Sequence, residues 1–228
     1  MLNLVDSSNA DQVPLRCSPR YTIAIDTSIL DTPVRLMKRI WIILYLFRSS
    51  LDRLYSLIIS QFFNSVGVGL RLRAFGNRIT NPWNTSLGDN FSSRGGLQLL
   101  AGGPITVGNH VSCNTNVVID SSGSSITIGS NVLIAQNVVL RSANHITDSV
   151  DTPIRLQGSI GNPIVIENDV WIAANCVVIQ GVTIGTGTVV GAGSVVLHDL
   201  PPMTICAGNP ARPLVSRDHQ SQPPITKI

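Results

Sequence analysis

Ile166, Ile172, Val178, Ile184, Val190 and Val196 stand six residues apart without a break. Four residues after each of the first five come Val170, Cys176, Val182, Thr188 and Ser194, all small or β-branched. Upstream, Val107, Cys113 and Ile119 keep the same spacing, and after a step of nine residues Ile128, Ile134 and Leu140 resume it. Gly108, Gly129, Gly185 and Gly191 directly follow four of these positions. Six residues turn an α-helix by about 600°, so the aliphatics would walk around it and leave no apolar face. A strand–turn unit accommodates the period. A few extended residues make a flat face, and Gly or Asn supplies the corner. Each unit turns one aliphatic inward, and stacked units bury a core that none could bury alone.

This spacing predicts an all-β solenoid and resembles the hexapeptide repeat of the left-handed parallel β-helix. Three hexads there make one triangular coil, so the twelve positions above amount to four coils. Irregular coils are expected before residue 105, with candidates at Ile79 and Leu87-Gly88.

Composition narrows the function classes. Hydrophobic residues make up 43% and charged residues 13%, which excludes a disordered acidic or basic chain. A net charge of +3 and an aromatic share of 5% argue against a nucleic-acid partner. Cys17, Cys113, Cys176 and Cys206 match no metal spacing and no disulfide scaffold, so no metal is expected. No P-loop and no Gly-x-Gly-x-x-Gly dinucleotide motif is present. No basic segment precedes an apolar stretch at the extreme N-terminus, so the chain is read as cytoplasmic, with the inner membrane face as the alternative.

Four regions follow. Residues 1–33 form a polar N-terminal extension, with one short strand expected at Tyr21, Ile23 and Ile25 and loose chain over the first dozen residues. Residues 34–65 form a helical segment. Leu36, Ile40, Ile43, Phe47, Leu51, Leu54 and Ile58 recur at steps of 4, 3, 4, 4, 3 and 4, behind Pro33 at a helix start. Arg35, Lys38, Arg39, Arg48 and Arg53 make it basic. Two roles are open: packing on the domain or between subunits, or peripheral contact with a membrane surface. Its apolar run Ile40–Phe47 reaches only about 12 Å as a helix, too short to span a bilayer. Residues 66–202 carry the β-helix with a protruding active-site loop at 141–165, and 203–228 form a C-terminal segment.

The rhythm breaks between Leu140 and Ile166, a gap of 26 residues where six were due. Such an insertion becomes a loop on one side of a solenoid and often serves binding. Ile126-Thr-Ile-Gly-Ser-Asn-Val-Leu-Ile-Ala-Gln-Asn-Val-Val-Leu140 runs into Arg141-Ser-Ala-Asn-His145. After the loop come Pro163-Ile-Val-Ile-Glu-Asn-Asp-Val-Trp171-Ile-Ala-Ala-Asn175, Gly181-Val-Thr-Ile-Gly185, Gly191-Ala-Gly-Ser-Val-Val196, Asp199-Leu-Pro-Pro202 and Ala207-Gly-Asn-Pro-Ala-Arg212. Over about residues 105–212 this order resembles the hexapeptide-repeat sugar O-acetyltransferases, among them the galactoside, maltose and nodulation-factor enzymes. Arg71-Leu-Arg-Ala-Phe-Gly76 and Asn81-Pro-Trp83 look more like the acetyltransferases of colanic acid and other exopolysaccharide clusters.

The resemblance implies acetyl-CoA as acyl donor, a homotrimer with a site in each cleft, and a histidine general base at His145, five residues after Leu140. Neutral imidazole, with an unperturbed pKa of about 6.5, suits removal of a sugar hydroxyl proton at cellular pH. The resemblance assigns Asn114 and Trp171 to the acceptor side, Ala174 and Ala192 to the pantetheine arm, and Arg212 to the CoA nucleotide. Asp120 and Ser121 form a polar patch that could also face the acceptor. His198 stands where the family often carries a Lys, and Ala173 where it often has Gly, both departures. His110 sits in a coil corner, His219 lies in the tail, and Cys113 belongs to the inward set.

These readings point to an acetyl-CoA-dependent O-acetyltransferase acting on a sugar, a cell-surface polysaccharide or its precursor. Alternatives are a serine acetyltransferase or a xenobiotic one of the chloramphenicol or virginiamycin type. A non-catalytic β-helix scaffold is the reading from another class, and His145 argues against it.

Overall fold

The computed structural model describes residues 12–18, 21–26 and 33–217, Phe75 excepted, with side chains from Met37 on. The expected looseness of the first dozen residues falls almost wholly outside this range, and so does His219. The chain divides at Ser50/Leu51 into two units. In the first, strand Tyr21–Asp26 pairs antiparallel with Gln12–Ser18, a partner strand that the sequence pattern did not reveal. A helix, Pro33–Ser60, follows, with Pro33 where its missing N–H costs no hydrogen bond.

From Ser65 on, the second unit is a left-handed β-helix of six coils. Each coil lays one short strand on each of three parallel sheets. The first face stacks Ser65–Val66, Thr85–Leu87, Ile105–Val107, Ile126–Ile128, Ile164–Ile166 and Thr183–Ile184. The second face begins with Arg71–Leu72 and Ser92–Ser93 and runs on through Ser112–Cys113, Leu133–Ile134, Trp171–Ile172 and Val189–Val190. The third stacks Arg78–Thr80, Gln98–Leu100, Val118–Asp120, Val139–Arg141, Val177–Ile179 and Val195–Val196. The two coils before residue 105 contain Ile79 and Leu87, both expected there.

All twelve hexad positions point inward. Ile119, Leu140, Ile166, Ile172 and Val178 are fully buried, and Cys113 lies among them. Each coil turns with a residue in the left-handed region. At the corner between the second and third faces these are Asn116, Asn137, Asn175 and Gly193, with φ of 57°, 59°, 60° and 72°. Asn tolerates this conformation better than other side chains do. The Asn137 amide donates to Asn175 Oδ1 at 3.0 Å, so the corners also bond to one another. His110 holds the equivalent post one corner earlier, at φ 58°, a backbone role.

A stack of strands ends in unpaired edges, and those of the second face are covered here. At the bottom, the end of the helix supplies polar caps. Ser56 Oγ, buried, accepts from Leu72 N at 2.8 Å, and Asp52 Oδ1 accepts from Ala74 N at 2.7 Å. Tyr55, Ile59 and Phe63 join the core there. At the top, Thr204–Gly208 adds to the second face and pairs antiparallel with Ala211–Ser216.

Candidate active site

The insertion leaves the third face at Arg141 and returns at Ile164. Its stem is a small antiparallel hairpin, Ala143–His145 against Ser159–Gly161, with His145 opposite Ser159. Two glycines let this stem lie on the corner of the coil below. A Cβ on Gly161 would stand 2.1 Å from the carbonyl oxygen of Gly123 and 2.2 Å from its carbon. Buried Ser142 ties the same two levels, its Oγ accepting from Ser124 N at 3.1 Å.

The rest of the loop braces itself. Gln157, in the one-turn helix Ile154–Gln157, donates to Ser149 O at 2.8 Å and Thr152 O at 2.6 Å and accepts from Ser149 N at 3.0 Å. Gly158 at φ 85° then permits the return, and Ile146 N donates to its carbonyl at 3.1 Å.

Below the stem, Asp120 and Arg141 are neighbours in register on the third face. Arg141 Nη1 lies 2.5 Å from Asp120 Oδ2, and Arg141 Nε donates to Ala143 O at 3.2 Å. The other oxygen of the buried Asp120 carboxylate accepts from Ser122 N at 3.0 Å and from Ser122 Oγ. The polar patch expected at Asp120 and Ser121 is therefore turned into the protein. Ser121 Oγ, also buried, donates to Gly103 O at 2.7 Å. His145 itself is exposed, and its ring meets no hydrogen-bond partner among the described residues.

The other candidates line a different edge. Asn114 follows the second-face strand Ser112–Cys113, at the corner between the second and third faces. Ala174 and Ala192 occupy the same corner two and three coils above, joined by Gly193 N donating to Ala174 O at 2.8 Å. Asn114 Oδ1 accepts from Thr115 N at 2.8 Å, and its amide reaches Gln136 Oε1 at 3.4 Å. Gln136, which no sequence motif marks, thus joins the exposed polar group at this edge. On the second face, Trp171 lies in register with Leu133, and the two are 40% and 53% exposed, a bare apolar patch. Arg212, also exposed, sits on the capping strand of that face, opposite Ala207.

The structure therefore gathers Asn114, Trp171, Ala174, Ala192 and Arg212 along one face and its edge. His145 stands at the far side of the third face, a width of about 10 Å for three extended residues. His198 follows the last third-face strand and shares the corner of His145, not the edge of Ala174 and Ala192.

Cys113, next to Asn114 in sequence, is wholly buried, and burial pushes its thiol up to about 12. Such a thiol is not a nucleophile at neutral pH. Burial also raises Cys176 and Cys206. A cavity of about 540 Å³, lined by Arg53, Ser56, Phe63, Gly67 and Leu70 among others, lies at the helix end of the solenoid, far from His145 in coil order.

Residues 163–198 match the family model described as bacterial transferase hexapeptide (six repeats). The coils built by these residues match hexapeptide repeats of the bacterial transferase type. Over 130 residues the chain is 38% identical to the galactoside O-acetyltransferase of Escherichia coli, covering 57% of this chain and 52% of that protein. Over 134 residues it is 35% identical to a protein of Escherichia coli named as a colanic acid biosynthesis acetyltransferase, covering 59% of each. The crystal structure of a maltose O-acetyltransferase from Clostridium difficile superposes with a TM-score of 0.52 at 27% identity, covering 75% of this chain and 84% of that one. The chain spans less than two thirds of the length of the first curated relatives it matches.

Proposed function

We propose that this chain is an acetyl-CoA-dependent O-acetyltransferase acting on a hydroxyl of a sugar, a cell-surface polysaccharide or its precursor. The observation that carries the reading is His145, an exposed imidazole on a braced hairpin beside a hexapeptide solenoid. The relatives named above act, by their names, on sugars or in polysaccharide biosynthesis. The proposed compartment is the cytoplasm.

His145 accepts the proton of the acceptor hydroxyl as its oxygen bonds to the thioester carbonyl carbon. The carbonyl oxygen carries the developing negative charge until the C–S bond breaks. The imidazolium then returns the proton to the departing thiolate, leaving ester and free thiol. Imidazole suits both transfers because its ordinary pKa lies near cellular pH. Ala174 and Ala192 fit the pantetheine arm, since methyl side chains let a ligand approach the main chain. The exposed Arg212 guanidinium suits the nucleotide phosphates. Asn114, with Gln136 beside it, can bind acceptor hydroxyls, and Trp171 can line their channel.

The separation of His145 from the Asn114 edge favours a homotrimer. In a three-fold ring every protomer meets its neighbour through two different surfaces, so one chain's loop corner can face the next chain's second face. Each cleft would then hold one base and one acceptor and donor edge. The bare Leu133–Trp171 patch suits such a position.

The test is release of free thiol from acetyl-CoA with a panel of sugars, serine and xenobiotic acceptors. Thiol release with a saccharide, lost in His145→Ala, supports the reading. Turnover of serine or a xenobiotic alone would move the acceptor class. No thiol release with any acceptor would favour a scaffold.

A further inference from the structure

We propose that the helical segment Met37–Arg53 seats the protein on an anionic lipid surface. The inference is independent of the acetyltransferase reading.

Ile40 to Phe47 are eight consecutive apolar residues, and all but Ile42, which is half-buried, are exposed. Trp41, Ile43 and Phe47 are each more than 60% exposed. Successive helical residues point about 100° apart, so Ile40, Trp41, Ile43 and Leu46 face four different directions. A helix that is apolar all round calls for a medium that surrounds it. A flat protein face covers only one side, whereas lipid envelops every side.

The run is also too short to cross. It extends about 12 Å against a hydrocarbon layer of about 30 Å. No described helix is long and apolar enough to span a membrane. What remains is partial insertion at the interface.

Charge selects the kind of surface. Lys38 and Arg39 precede the run, and Arg48 and Arg53 follow it, all exposed or partly exposed. The single acid of the helix, Asp52, is engaged by Ala74 N. Cations at both ends of an apolar run match anionic headgroups flanking acyl chains. Trp41 and Tyr45 stack at a centroid distance of 5.6 Å and both are exposed. Trp and Tyr favour the headgroup level, where an apolar body and a polar tip are both accommodated.

The full chain is tested by cosedimentation with vesicles of phosphatidylcholine alone and of phosphatidylcholine mixed with phosphatidylglycerol, at low and high salt. Partition to the anionic vesicles at low salt, weakened by salt, is expected. Intrinsic fluorescence should shift to the blue on binding, and Trp41→Phe should remove that shift. The triple variant Lys38→Gln/Arg39→Gln/Arg48→Gln should lose roughly a hundredfold in partition, at about fivefold per cation near such a surface. Ile43→Ser/Phe47→Ser should abolish it. Failure to bind anionic vesicles at low salt overturns the proposal. Binding that survives both variants does so too. If Ile43→Ser/Phe47→Ser leaves vesicle binding intact but breaks the oligomer, a second copy of this chain covers the helix instead.

Discussion

Arg141 Nη1 and Asp120 Oδ2 stand 2.5 Å apart at the point where the chain leaves the solenoid, and Arg141 Nε also holds the carbonyl of Ala143. One guanidinium thus links a buried carboxylate in coil three to the strand that ends in His145. The chain from Asp120 through Arg141 and Ala143 sets the height of the hairpin above the corner. Arg141 is half exposed, so the Coulombic part is screened. The geometric part is not, because a planar fork fixes both contacts at once.

Asp120→Asn should therefore cost more in turnover than in fold. A base misplaced by about an ångström can lose up to roughly a hundredfold. The expected result is a kcat lowered roughly ten- to hundredfold with the KM for acetyl-CoA unchanged and the six coils intact by circular dichroism. Arg141→Lys, which keeps the charge but not the fork, should lower kcat as well, because it cannot hold Asp120 and the Ala143 carbonyl at once. Unchanged kcat in Asp120→Asn would remove the pair from any positioning role.

Gly161→Ala addresses the same stem through sterics. Its new methyl would meet the Gly123 backbone near 2 Å, a contact no rotamer change relieves. The stem must lift, so amide exchange should rise at 143–145 and 159–161 while the core strands stay protected. Turnover should fall with it. Slow exchange throughout the hairpin would show that the backbone absorbs the methyl elsewhere.

The six-residue spacing made the later coils legible because an inward position tolerates little besides an aliphatic. Where that rule lapses, so does the signal. In the second coil the inward post of the second face is Ser93, buried and polar, its Oγ accepting from Gly95 N. That single replacement hides the hexad that joins Leu87 to Leu99. The strand Gln12–Ser18 was hidden for another reason: Val13, Leu15 and Cys17 do alternate with polar neighbours, but Pro14 inside the run argues against a strand, so only pairing with Tyr21–Asp26 reveals it. At the candidate site, His145 is marked in the sequence by its distance to Leu140. Arg141–Asp120 and Gln136–Asn114 could not, since both join residues 21 or 22 apart across coils. Only the register of a built solenoid brings such pairs together.

Burial of Cys113 has a measurable sign. Its ordinary thiol value is 9.0, and in the fold it is raised to about 12. Between these values the unfolded chain loses the proton while the folded chain keeps it. Its contribution to stability is therefore fully present below pH 9 and declines as pH rises from about 9 to 12. Denaturant midpoints should fall over that window, less so in Cys113→Ala after allowance for its lost packing. Native protein should also resist alkylation at Cys113. Rapid native modification of that thiol would contradict the burial.

Arg212→Ala should raise the KM for acetyl-CoA and leave the acceptor KM nearly unchanged. The guanidinium is exposed and makes only a local contact, Nη1 to Ala211 O at 3.1 Å, so its removal should not disturb the fold. A lost charge-assisted contact to phosphate is worth about 1.5–3 kcal/mol, or roughly ten- to a hundredfold in KM. A shift in acceptor KM instead would place the donor elsewhere.

The last prediction separates a site within one chain from a site between chains. His145→Ala removes the proposed base and should lower kcat by roughly 10²–10⁴-fold. Asn114→Ala removes the proposed acceptor contact on the other edge and should lower kcat/KM for the acceptor. If each site takes its base from one protomer and its acceptor edge from the next, the two variants complement each other. In trimers reassembled from equal amounts of both, a cleft is intact when an Asn114→Ala chain, which keeps His145, precedes a His145→Ala chain, which keeps Asn114. Random assembly gives that order at about one cleft in four, so about a quarter of wild-type activity should return. Unmixed variants treated identically, assayed below the acceptor KM, should stay at their own lowered rates. If both residues of a working site belong to one chain, every cleft in the mixture lacks one of them and no activity returns. That outcome would require the loop to fold back across the third face, against the stem contacts of Gly161 with Gly123 and of Arg141 with Asp120.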